Sequence, residues 1–257
     1  MKTNNKDNQL IKFFILTFLI AWVIWIPIYF EVLPESLIPL GFVGPIASAT
    51  ILTFISSGKK GLAELYSGLT RVKVKPIWLL ATFLPAALNI VTHFVFSIFF
   101  EYKELIDIHI IIINYLIISL FLVLEEVGWR GYALPRLLNS KNALISSLIL
   151  GIIWAIWHFP FWTISPIDGA PEPFYIFYIT GTIGAIAMAI ILTWIFNNTR
   201  KSILFATLCH ASFNATIGAI AFDTTVAIYH NFIFVFLSLI ASIILIFVFG
   251  AKNLKLN

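Results

Sequence analysis

The sequence predicts an all-α integral membrane protein with eight transmembrane helices and both termini in the cytoplasm. Three observations carry that expectation. Of 257 residues, 60% are hydrophobic and only 11% charged, whereas an average soluble domain has about 25% charged residues. So few polar side chains could not cover a soluble fold of this size, and the surplus apolar surface needs lipid. Eight apolar stretches reach or approach the roughly 20 residues that a helix needs to cross a bilayer. Finally, 15 of the 16 basic residues fall on one side of the resulting topology.

The spans follow in order. Leu10–Phe30 comes after a polar, lysine-bearing tail and lacks a small-residue cleavage site behind it, so it reads as a retained span and not a removed signal peptide. Leu37–Ser57 is the second. The segment Gly58–Lys75 then sets Leu62, Leu65, Tyr66 and Leu69 at helical spacing among basic residues. It suits either an amphipathic helix on the cytoplasmic surface or an ordinary loop. Ile77–Phe99, Ile110–Tyr132, Ala143–Phe161, Phe174–Phe196, Ser202–Phe222 and Asn231–Gly250 complete the eight. There is no fixed-period repeat and no long linker, so residues 1–257 are expected to form a single domain.

The charges orient this topology. Lys2, Lys6 and Lys12 lie on the N-terminal side. Lys59, Lys60, Arg71, Lys73 and Lys75 fill the second connection. Arg130, Arg136 and Lys141 border the fourth, Arg200 and Lys201 the sixth, and Lys252 and Lys255 the tail. The other connections hold only Lys103, together with Glu31, Glu35, Glu101, Glu104, Asp107, Asp168, Glu172 and Asp223. The positive-inside rule makes the basic side cytoplasmic, in a multi-pass protein of the cell membrane. The net charge of +4 thus reflects topology, and nucleic acid is not implied as a partner. Cys209 is the sole cysteine, which excludes an intrachain disulfide and disfavours a zinc–thiolate site.

Ionisable residues inside spans cost about 2.5–3.5 kcal/mol each by insertion scales and mark function by default. The fourth span ends in Glu125, Glu126 and Arg130, the fifth carries Trp154 and His158, and the seventh carries His210 and Asn214. Glu126 and Arg130 are four apart and share a helix face, acid before base, which reads as a structural ion pair. Glu125 lies about 100° round the helix and is left free for chemistry. His210 and Asn214, again four apart, present an imidazole and an amide together. A carboxylate and a histidine can take a proton from water, a histidine can protonate a leaving amine, and an amide with a second histidine can stabilise an oxyanion. This set suffices for hydrolysis without a cofactor. The competing mechanism uses a divalent metal such as zinc, for which Glu125, His158 and His210 would be the ligands; the soluble His-Glu-x-x-His pattern is absent. Cys209 neighbours His210 in sequence but faces elsewhere. His93 reads as a packed core residue, and His109 and His230 as interfacial.

These pieces, in this order on these spans, resemble the signature of the CPBP family, which contains the type II CAAX prenyl endopeptidases and bacterial proteases linked to bacteriocin processing and self-immunity. Glu125, Glu126 and Arg130 match its Glu-Glu-x-x-x-Arg motif, and His210 with Asn214 its His-x-x-x-Asn/Asp motif. His158 matches the histidine of Phe-x-x-x-His, with Trp154 standing where that motif has phenylalanine. The resemblance covers about residues 77–222. It implies an intramembrane endopeptidase acting on a membrane-associated protein or peptide. In such an enzyme Glu125 and His158 activate water, His210 and Asn214 serve the oxyanion, and Glu126 and Arg130 support them. A proton-coupled transporter, with Glu125, Glu126 and His158 as a relay, and a non-catalytic immunity or scaffold protein are the rival classes. One spacing fits poorly. At about 1.5 Å per residue, His210 should sit roughly 12 Å from the cytoplasmic edge and His158 roughly 22 Å.

Overall fold

The computed structural model describes residues 2–100, 108–164, 174–217 and 224–255. Lys103, Glu101, Glu104, Asp107, Asp168, Glu172 and Asp223, expected on the outer side, lie outside the described residues. Eight principal helices run α1 (Lys2–Tyr29), α2 (Gly44–Ser67), α3 (Leu84–Phe100), α4 (Ile108–Glu126), α5 (Ala143–Ile164), α6 (Phe174–Asn198), α7 (Ile203–Ile217) and α8 (Thr224–Phe249). The outward surface is apolar: Phe247 is 90% exposed and Leu120 78%. Side chains of this kind are left bare only where lipid covers them, and the chain is an integral membrane protein.

Among the described residues, six stretches are long and apolar enough to cross a membrane: Asn8–Tyr29, Glu35–Thr70, Ile108–Leu138, Ala143–Ile164, Tyr175–Asn198 and Ile228–Phe249. Within the described residues, the third and seventh expected spans contain shorter apolar helices, α3 with 17 residues and α7 with 15. The third stretch is cut by Pro85, which has no N–H to give the carbonyl of Ala81. A separate five-residue helix, Ile77–Ala81, precedes the break.

Gly58 explains most of what hydropathy could not foresee. Its φ of 58° and ψ of −154° break α2, a conformation that costs glycine little. Tyr66 Oη then lies 2.6 Å from Thr50 Oγ1, although sixteen residues of straight helix would separate them by about 24 Å. The segment after Gly58 therefore folds back on the span. Leu65 becomes buried while Lys59, Lys60 and Glu64 stay exposed, so the expected amphipathic segment is a helix as far as Ser67, with its apolar face packed on the protein.

This folded-back segment covers the start of α7. Ser202 Oγ donates to the Gly68 carbonyl at 3.4 Å and accepts from the Phe205 N–H at 3.3 Å as the helix N-cap. Ser202 and Ile203 are buried, so α7 begins inside the protein and not at its edge. Other segments expected on the cytoplasmic side are also joined. Arg71 Nη1 donates to the carbonyls of Arg200 and Lys201 at 3.4 and 3.3 Å. The Ala143 and Leu144 N–H groups donate to the carbonyls of Lys252 and Ala251 at 2.9 and 3.0 Å.

Candidate active site

The last residues of α4 set the site. After Glu126 the backbone widens into a π-helical turn, Val127–Ala133, before the short helix Leu134–Leu138. Such turns insert an extra residue per turn and occur often at functional sites. Close packing fixes this one. A Cβ on Gly128 would come 2.5 Å from Pro45 Cβ and 2.6 Å from the Pro45 carbonyl oxygen, so α2 meets the π turn through a residue with no side chain. Trp129 and Tyr132 pack on Phe13 of α1, with ring centroids 5.6 and 5.0 Å apart.

The two adjacent glutamates diverge as their spacing predicts. Glu126 Oε1 accepts from Arg130 Nη1 at 2.8 Å, and both side chains are fully buried. The same oxygen lies 2.9 Å from His210 Nδ1, a bond from α7 that spacing along α4 could not disclose. A carboxylate can only accept here, so Nδ1 of His210 carries a proton. Glu125 Oε2 instead accepts from the indole Nε1–H of Trp154 at 2.9 Å, within the α4–α5 interface. His158 Nδ1 sits 2.9 Å from the Trp154 carbonyl. That carbonyl also has no proton to give, so the His158 proton is on Nδ1 and its Nε2 holds the lone pair.

Trp154 thus emerges as the centre of the cluster. Its ring meets those of His158 and His210 edge-on, at centroid distances of 5.4 and 5.0 Å. The Arg130 guanidinium carbon lies 4.9 Å from its centroid, within cation–π range. Both histidines therefore meet at one ring, although the sequence spacing set them at different depths. Glu125 and His210 are each 3% exposed, while His158 and Asn214 are half-buried and form the accessible side. Asn214 lies one turn beyond His210 on α7. That turn is held by Asn89 of α3, whose Nδ2 donates to Thr216 Oγ1 at 2.8 Å and to the Phe213 carbonyl at 3.3 Å. Sequence reasoning missed Asn89, whose only signal was a carboxamide in an apolar run, and treated Trp154 as an aromatic replacement alone.

Among the described residues, no group of three or more His, Cys, Asp or Glu side chains converges closely enough to hold a metal ion. Glu125, His158 and His210, the set considered for zinc, are engaged with Trp154 and Glu126 and do not form a ligating group. Cys209 is buried and unpaired. Glu126 Oε2 and Arg130 Nε and Nη2 are buried with no hydrogen-bond partner among the described residues, so the interior beside Glu125 is strongly polar.

A family model, Type II CAAX prenyl endopeptidase Rce1-like, matches residues 105–216, a stretch that contains Glu125, Glu126, Arg130, His158, His210 and Asn214. Beyond that stretch, the chain is 26% identical over 241 residues to "CAAX prenyl protease 2" of Methanococcus maripaludis, covering 83% of this chain and 86% of the relative. Together with the helical membrane architecture, these matches make the chain similar to the Rce1-like type II CAAX prenyl endopeptidase (CPBP) family of hydrolases.

Proposed function

We propose that the protein is an intramembrane endopeptidase that hydrolyses a peptide bond of a membrane-associated protein or peptide with water activated by Glu125 and His158. The observation that carries this reading is the separation of the two glutamates: Glu126 is engaged by Arg130 and His210, whereas Glu125 accepts from the uncharged indole of Trp154. Buried groups without protein partners favour ordered water nearby. In the proposed reaction, Glu125 takes a proton from water as the oxygen adds to the scissile carbonyl carbon. The displaced electron pair moves onto the carbonyl oxygen, which receives the Asn214 amide and the His210 imidazolium Nε2–H. His158 relays the proton through Nε2 to the leaving nitrogen as the C–N bond breaks, giving a carboxylate and an amine.

The active cavity opens to the cytoplasm in this reading. Both termini and the basic connections lie on that side of a cell membrane, and α3 and α7 count as the third and seventh of eight crossings in a single domain. The positive-inside distribution and the hydrogen bonds joining the basic segments support this. The relative's name makes a peptide ending in a prenylated Cys-a-a-X sequence the first substrate to try. The purified protein in detergent is expected to cleave a farnesylated peptide of this type. Cleavage by neither the protein nor membranes enriched in it would refute the substrate assignment.

A further inference from the structure

We propose that Trp154 is a positioning residue for this hydrolysis, its indole N–H selecting which oxygen of Glu125 works as the base. The inference rests on Glu125 being that base. Indole nitrogen is a donor only, so the oxygen facing it, Oε2 at 2.9 Å, must remain an acceptor in every protonation state of Glu125. A proton removed from water is thereby confined to Oε1. The same residue holds the relay histidine, because its carbonyl takes the His158 Nδ1–H at 2.9 Å and leaves Nε2 basic. Base and relay are therefore registered to one residue. Trp154 is itself immobilised, being 5% exposed and flanked by both imidazoles and the Arg130 guanidinium. Phenylalanine could supply the ring and the carbonyl but not the donor. The indole N–H is the separable element, and it can be removed while the platform is kept.

Two measurements on the full-length protein in detergent micelles test the role. The first uses [15N]tryptophan labelling, which gives eight indole N–H signals for the eight tryptophans; the one lost in Trp154→Phe identifies Trp154. That signal is expected to move upfield in Glu125→Gln, because a carboxamide is a weaker acceptor than a carboxylate. The second measures cleavage of the farnesylated peptide. Trp154→Phe is expected to lower kcat by about ten- to a hundred-fold, as for loss of one hydrogen bond to a charged group, with KM within about two-fold of wild type. Trp25→Phe, which removes an indole bond to the Ile38 carbonyl, is expected to keep wild-type kcat. If Trp154→Phe fails to fold, 3-benzothienylalanine at position 154 preserves the shape and replaces N–H by sulfur, with the same expected loss. An unresponsive signal, or an unchanged kcat in a protein that cleaves the peptide, overturns the positioning role. Absence of cleavage by the wild type overturns the function proposed above and the catalytic half of this inference together, while the signal still reports whether the contact exists.

Discussion

The cluster Glu126–Arg130–His210 offers the most quantitative test of how this interior is held together. Two cationic or donor groups share a single oxygen at 2.8 and 2.9 Å, with Arg130 and Glu126 fully buried. Removing one member of a buried ion pair leaves the other charge uncompensated and costs about 3–5 kcal/mol, whereas replacing both by apolar groups of similar volume is often close to neutral. Glu126→Gln and Arg130→Met are each expected to destabilise the protein by about 3–5 kcal/mol. The double variant is expected to lose less than the sum by at least about 2 kcal/mol, within the range seen for groups in direct contact. His210, deprived of a charged acceptor, keeps part of the loss in the double variant. Unfolding in mixed micelles with a rising fraction of denaturing detergent measures all four corners of the cycle. Additivity to within about 0.5 kcal/mol would refute the pairing, and with it the division of labour between the two glutamates.

Two further outcomes follow from packing and topology. Gly128→Ala puts a methyl group 2.5 Å from Pro45 Cβ and 2.6 Å from its carbonyl oxygen, and since backbone cannot yield cheaply it should destabilise the protein by about 1–3 kcal/mol or more, measured in the same micelle titration. Lys201→Cys, in the exposed turn before α7, should react with a membrane-impermeant thiol reagent only in inside-out vesicles. The buried Cys209 should stay silent; labelling of the Lys201→Cys variant in right-side-out vesicles would reverse the topology.

Different physical signals decided how much could be read from the chain. The Glu126–Arg130 contact was legible because both residues lie on one helix and spacing alone fixes their meeting. The His210–Glu126 bond was not, since it joins residues 84 apart in sequence across an interface that no periodicity encodes. Apolar runs identified every principal helix, but hydropathy does not register the missing N–H of Pro85 or the positive φ of Gly58. Pro85 sets the helix Ile77–Ala81 apart from α3, and Gly58 turns the second half of α2 back on the first. Trp154 was hidden for a related reason: a hydropathy reading treats it as another large apolar ring, whereas its contribution to the site is one N–H group. The π turn after Glu126 likewise leaves no mark in composition.

The central claim is that Glu125, and not its neighbour, carries the base. Glu125→Gln keeps the shape of the side chain and an acceptor for Trp154 while removing the basic oxygen, and a positioned general base contributes about 10²–10⁴-fold to rate. The decisive measurement is kcat of Glu125→Gln on the farnesylated peptide, in protein whose detergent unfolding matches wild type. A fall of at least about 10²-fold is predicted, and cleavage at the wild-type rate would contradict the account.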